Sequence, residues 1–267
     1  MAADYTYADL LEAYSSLGVT SGTSVYLATD LRSLMRYESS GREALLSGHM
    51  DCLNELLGGR GSLYVPTATI QLCNTDTPFD VHETASRDMG AFSEYVRTQP
   101  GAARSFHPFW SLAGVGSGSA EMLTDVSRHA YGHGSVWQRF VDQDVLALTV
   151  GLPPRFSLSV IHYIETVVGV PYRYTKEFIH PVVREGGIHR EPFYLSVVYA
   201  ECDVLRDKNR EIMKNFAEKG LLKKVSLGRG EAWSFSLREF FEVTASFLTE
   251  DIYGWLELPP ENRPYQH

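Results

Sequence analysis

The sequence predicts a layered α/β protein folded as one compact unit over residues 1–267. Three observations carry that expectation. Short apolar runs alternate with amphipathic segments along the chain. No repeat, low-complexity linker or shift in composition divides it. Hydrophobic residues make up 44% and charged residues 21%, the balance of a globular chain that buries a full core.

The elements follow in order. Thr6 and Asp9 form a capping signal before LLEAYSSLG, a first helix closed by Gly18. SVYLA (24–28) is a buried strand, and TDLRSL turns out of it. REALLSGHMDCLNELLGG is an amphipathic helix that stops at Gly58 and Gly59. SLYVPT (62–67) is a second strand, ended by Pro66. Residues 68–88 read as a long polar loop with Asp76, Asp80, Glu83 and Asp88, longer than connection requires. GAFSEYVRTQPG is a short helix broken by Pro100 and Gly101. SVWQRFVDQ is helical and DVLALTVG a buried strand. SLSVIHYIETVVG (157–169) is a helix and PYRYTKEF an extended piece. FYLSVVYAE alternates as a strand does, LRDKNREIMKNFAEKG is an exposed helix, and SLREFFEVTASFLTED is a last amphipathic one.

A formal charge of −9 disfavours nucleic acid and anionic membranes as main partners. The first residues lack a basic region followed by an apolar run, and nothing approaches the eighteen apolar residues of a membrane span, so a cytoplasmic protein is expected. Cys52, Cys73 and Cys202 are scattered and form no CxxC pair, which suits reduced, buried thiols.

Three stretches can do chemistry. In SLSVIHYIETVVG, Ser159, His162 and Glu165 recur at i+3 spacing and share one face of a helix. A carboxylate beside a histidine fixes its tautomer and favours its charged form, as a general base requires. A core histidine satisfied by its neighbour has the same pattern. The pair supplies two metal ligands at most, with no third in register, so no metal site is predicted.

The stretch RSFHPFWSLAGVGSGSAEML (104–123) places donors on Arg104, Ser105 and Ser111 ahead of glycines at 114, 116 and 118 and a helix beginning at Ser119. Such bare backbone suits a phosphorylated ligand, and it equally suits a plain loop. Its G-x-G-x-G spacing is neither a dinucleotide fingerprint nor a Walker loop, and Gly-x-Ser-x-Gly is absent. In GVPYRYTKEF, Arg173 and Lys176 stand between aromatics, suited to a ring or a phosphate or to an exposed strand with snorkelling cations. His129 and His133 read as loop residues.

Taken in order, these pieces resemble the aminoglycoside 3-N-acetyltransferase family. LLEAYSSLGVTSGTSVYLATDLRSL, LGGRGSLYVPTAT, GAFSEYVRTQPGAARSFHPFWSLAGVGSGSAEML, YGHGS and SLSVIHYIE are similar to successive family blocks over most of residues 8–168. The resemblance implies a three-layer α/β/α sandwich around a mixed central sheet, distinct from the Gcn5-related acetyltransferase fold. It makes His162 the catalytic histidine and Glu165 the carboxylate that orients it, with Ser159 where the family has threonine. It places Arg104, Ser105, His107 and Ser111 along a coenzyme A channel. It brings Leu31, Arg32 and Ser33 to the coenzyme's phosphates or pantetheine arm. Two departures, GHGSV at 132–136 and the VPYRYTKEF segment, fall where acceptor or acyl specificity is set.

The implied reaction is direct transfer of an acyl group, from acetyl-CoA or another acyl-CoA as co-substrate, to the primary amine of an amino sugar. His162 takes the amine's proton, and no metal takes part. Two acceptors compete. Asp76, Asp80 and Glu83 would wall a polycationic aminoglycoside, the resistance reaction. Arg173, Lys176 and Arg155 would meet the diphosphate of a nucleotide-linked amino sugar bound for surface polysaccharide. The basic and aromatic segment favours the second, with the aminoglycoside as the alternative. Neither nucleic acid nor membrane is an expected partner, and the oligomeric state stays open between monomer and homodimer.

Overall fold

The computed structural model describes residues 2–154, 159–199 and 209–256, together with Glu261. A seven-stranded mixed sheet organises them. Its strands are β1 (Ser24–Thr29), β2 (Ser62–Pro66), β3 (Ala103–Arg104), β4 (Leu112–Gly116), β5 (Leu146–Val150), β8 (Lys223–Leu227) and β9 (Gly230–Ser236). They lie in the order β3-β4-β2-β1-β5-β9-β8. β1 pairs parallel with β2 and β5, and the outer pairs are antiparallel.

Strand periodicity sends alternate residues to two cores. Val25 and Leu27 of β1 join Leu63, Val65 and Leu148 in one. Helices α1 (Tyr7–Ser16), α2 (Arg42–Leu57) and α3 (Ala91–Arg97) cover it. Tyr26, Tyr64, Ala147 and Phe235 face the opposite core. There α4 (Ser119–Leu123), α5 (Val136–Asp142), α6 (Val160–Val168), α7 (Asn209–Glu218) and α8 (Leu237–Glu250) pack. The result is the three-layer α/β/α sandwich, with helices on both faces because the parallel strands are apolar on both. Thr6 caps α1 with the reciprocal Thr6–Asp9 hydrogen bonds its sequence predicts.

Three features depart from the sequence expectation. LAGVG, read as part of a glycine loop, is strand β4, because its backbone pairs with β2 from Leu112 to Gly116. KKVSL and GEAWSFS are strands β8 and β9, unpredicted because short mixed-polarity runs carry little periodicity. The extended piece PYRYTKEF (171–178) leads into a hairpin of twelve-residue strands, β6 (Arg173–Arg184) and β7 (Gly187–Val198), which forms a sheet of its own. Glu185 and Gly186, both at positive φ, make its two-residue turn. The helix expected from residue 157 begins at Val160, and residues 155–158 lie outside the described segments, as does Cys202.

Among the described residues, no helix is long and apolar enough to cross a membrane.

Candidate active site

Parallel sheets open a crevice at the carboxyl ends of their strands, where connections leave in opposite directions. From β1 the chain runs through α2 to β2 on one side. From β5 it runs through α6 toward β8 and β9 on the other. The crevice between β1 and β5 holds a cleft of about 800 Å³. Asp30, Leu31 and Arg32 line it after β1, Leu152 after β5, and Ser159 at the start of α6. The loop before α3 contributes Arg87, Asp88 and Met89, and α2 contributes Arg42 and Leu45.

α6 is capped by Gly169 in the left-handed region, and Val160, Ile161 and Ile164 bury one side of it. That packing turns Ser159, His162 and Glu165 along the remaining face. His162 Nδ1 donates to Glu165 Oε2 at 2.9 Å. The carboxylate is buried at 1% exposure, while the imidazole keeps 16%. Tyr131 meets the His162 ring edge-on at 5.0 Å between centroids, and Trp110, which lines the cleft, lies 6.0 Å from Tyr131. The histidine therefore stands one helical turn beyond Ser159, which lines the cleft, and keeps part of its ring outside the dry core. With Nδ1 occupied by Glu165, proton transfer falls to Nε2.

The 104–111 block has another job. Arg104 donates to the carbonyls of Thr84 (2.5 Å) and Thr67 (2.9 Å) and to Ser111 Oγ (3.0 Å). Its guanidinium lies 5.0 Å from the Phe79 ring centroid, and desolvation draws its pKa down to about 10. Ser111 also contacts Thr67, and Ser105 Oγ accepts from Leu112 N at 2.9 Å. His107 Nδ1 accepts from Phe109 N and Trp110 N, and burial pushes the imidazole down to about 3. None of the four lines the cleft. Their hydrogen bonds fasten the loop that presents Trp110, because buried donors must find partners.

The glycines of that stretch lie away from the cleft as well. Antiparallel pairing sets Gly116 beside Ser62 and Leu112 beside Pro66, so Gly116 and Gly118 sit at the end of β2 opposite the cleft. A Cβ on Gly114 would lie 2.6 Å from the Tyr64 ring. That glycine is there for a close crossing.

Of the turn residues, Leu31 and Arg32 reach the cleft. Ser33 does not: its Oγ lies 2.8 Å from the carbonyls of both Asp30 and Gly151 and braces the β1 and β5 loops together.

Arg173 is the largest change. It was expected at the acceptor's phosphates, yet its side chain is 5% exposed and its Nε lies 2.6 Å from Glu165 Oε2. Lys176 is exposed over the Phe178 ring, in a second pocket of about 330 Å³ with Asp76, Glu177, His180 and Arg190. Asp76 pairs with Arg190 at 2.8 Å. Asp80 accepts from the backbone of His82 and Glu83, closing a turn, and Glu83 is exposed beside it. Asp80 and Glu83 thus do not join Asp76 in a wall. Arg155 lies outside the described residues.

Sequence reasoning missed Tyr131, Trp110, Arg42, Arg87 and Leu152. A usable signal existed: the polar loops ahead of α2 and α3 end in Gly41 and Gly90 and follow parallel strands, whose carboxyl ends converge. Among the described residues no group of three or more His, Cys, Asp or Glu could hold a metal ion.

The sequence and the fold have known counterparts. A family model described as aminoglycoside 3-N-acetyltransferase matches residues 29–249. The chain belongs to that family. It is 24% identical over 268 residues to aminoglycoside N(3)-acetyltransferase III of Pseudomonas aeruginosa, covering 95% of this chain and 94% of that one. Against a Salmonella sp enzyme III it is 30% identical over 185 residues, 62% of each. The alignment to another Salmonella sp enzyme III, 34% identical over 113 residues, spans 39% of that relative's length. Among solved structures, aminoglycoside acetyltransferase AAC(3)-Xa superposes with a TM-score of 0.80 at 20% identity, covering 92% of this chain and 93% of that one. AAC-IIIb in a binary complex with CoASH gives 0.79 at 18% identity, covering 96% and 99%. At such identities these two establish the family's fold.

Proposed function

We propose that the chain is a single acyltransferase domain that moves the acetyl group of acetyl-CoA to an amine of an aminoglycoside. One observation carries the reading: a part-exposed imidazole, held by a buried carboxylate, one helical turn from Ser159 in the wall of a cleft that could admit a pantetheine arm. The cleft fits such a co-substrate. Leu31, Leu45 and Leu152 offer apolar wall to the arm, and the exposed guanidiniums of Arg32, Arg42 and Arg87 offer charge to its phosphates.

An amine protonated at neutral pH cannot attack a thioester. His162 Nε2 would remove the proton, directly or through water, as Glu165 steadies the imidazolium through Nδ1. The nitrogen then attacks the thioester carbon, and the departing sulfur recovers the proton from His162. Holding two substrates in one cleft supplies the rest through orientation. No covalent enzyme intermediate is required.

The nucleotide-linked amino sugar loses its main support, since Arg173 is buried against Glu165 and unavailable to a diphosphate. The relatives are named for aminoglycosides, and the net charge of −9 suits a polycation. Incubating the protein with acetyl-CoA and gentamicin, or with UDP- and dTDP-amino sugars, and following thiol release tests the choice. Acceptor-dependent release with gentamicin alone is expected. Release without any acceptor would make the protein a thioesterase, and release with the nucleotide sugars alone would reverse the assignment.

A further inference from the structure

We infer that Arg173 is a positioning residue that tunes the His162–Glu165 pair; the inference rests on the base role proposed for His162. Glu165 Oε2 is shared. It lies 2.9 Å from His162 Nδ1 and 2.6 Å from Arg173 Nε, and both the carboxylate and the guanidinium are buried. Arg173 opens β6, and its Nη1 donates across the hairpin to the Ser196 carbonyl at 3.0 Å. The hairpin, a sheet separate from the main one, thus reaches the catalytic helix through this guanidinium. Among the described residues, titratable or charged groups facing His162 include Glu165 on its own helix, Tyr131 from the loop before α5 and, through Glu165, Arg173 from β6.

A buried carboxylate has two ways to fail as a partner. Without a cation it can take a proton and stop orienting the imidazole. With the imidazolium as its main counter-charge it can hold that imidazolium too firmly. Arg173 works against both. Its charge, with Nε 2.6 Å from Oε2, favours the ionised form of Glu165. It also offsets part of the carboxylate's pull on the histidine.

The reaction needs that balance twice. When the amine nitrogen bonds to the thioester carbon, its proton goes to His162 Nε2. When the carbon–sulfur bond breaks, the thiolate takes the proton back. A histidine locked in its charged form serves the first half and obstructs the second.

Arg173→Met removes the charge at similar length, and Arg173→Lys keeps it without the planar fork. The readouts are kcat/KM against pH with acetyl-CoA and gentamicin, and the NMR titration midpoint of the His162 imidazole. For Arg173→Met, kcat should fall about 10- to 100-fold with the acetyl-CoA KM within about threefold. The acid limb and the NMR midpoint should both move up by about one pH unit. Arg173→Lys should recover most of the midpoint shift.

Near-UV circular dichroism establishes folding, and Arg173→Gln replaces the methionine variant if that one does not fold. A folded, uncharged variant whose midpoint does not move overturns the inference, whatever its activity. If the unaltered protein acetylates no aminoglycoside, the functional reading fails while the NMR midpoint still decides the role of Arg173.

Discussion

Two polar blocks, 104–111 and 159–165, look equally chemical as sequence and end in opposite conditions. In the first, Arg104, Ser105, His107 and Ser111 satisfy backbone groups or one another, and His107 is held neutral by burial. In the second, Glu165 is just as buried but aims its charge at an imidazole that keeps 16% exposure, one turn from Ser159 in the cleft wall. Donor and acceptor types are alike in both. What separates them is whether a polar atom, once its partners are counted, still faces a space that a substrate can enter.

Exchanging residues within each block puts the contrast to the test. The largest effect belongs to His162→Ala, which should lower kcat about 10²- to 10⁴-fold while leaving coenzyme A affinity, read by calorimetry, within about twofold. Unchanged turnover would remove the base and with it the contrast.

Next comes Arg104→Met. It strips three buried acceptors of a charged donor, so unfolding free energy should fall by about 3 kcal/mol and the melting temperature by roughly 6–12 °C. Below the transition its kcat should stay within about threefold. An unchanged melting temperature with coenzyme A affinity down a hundredfold would return Arg104 to the cofactor channel.

Of comparable size is the acid sensitivity of two buried histidines. Burial pushes His49 and His107 down to about 3, against about 6.5 in the unfolded chain. Between those values the unfolded state binds protons that the folded state refuses. Stability therefore falls as pH drops through that window, by about 1.4 kcal/mol per pH unit for each histidine. Urea unfolding from pH 7 to 5 measures the slope, and His107→Gln should halve the part due to this pair. An unaltered slope would show that His107 charges in place.

The smallest effect is expected at Ser159, whose hydroxyl caps nothing although the residue lines the cleft. Ser159→Ala should cost about two- to fivefold in kcat/KM if the hydroxyl only helps place substrate. A hundredfold loss would make it a proton donor to the thiolate.

Legibility followed the range of the interaction that fixes each feature. The sequence alone determined what local periodicity and capping encode: α1 with its Thr6–Asp9 cap, strands β1, β2 and β5, and the helical face that joins Ser159, His162 and Glu165. Those patterns repeat at steps of two to four residues along the chain, so spacing suffices to find them. The family resemblance added the layer order and the expectation that His162 is the base.

Tertiary structure decided the rest. It made LAGVG a strand by pairing it with β2, turned the glycines of 114–118 away from the cleft, and closed the 104–111 block on itself. It also carried Arg173, eight residues beyond Glu165 in the chain, from the mouth of a hairpin into the buried charge of that carboxylate. Burial and partner choice are set by elements far apart in sequence, and no local pattern records which of two similar side chains they leave facing solvent.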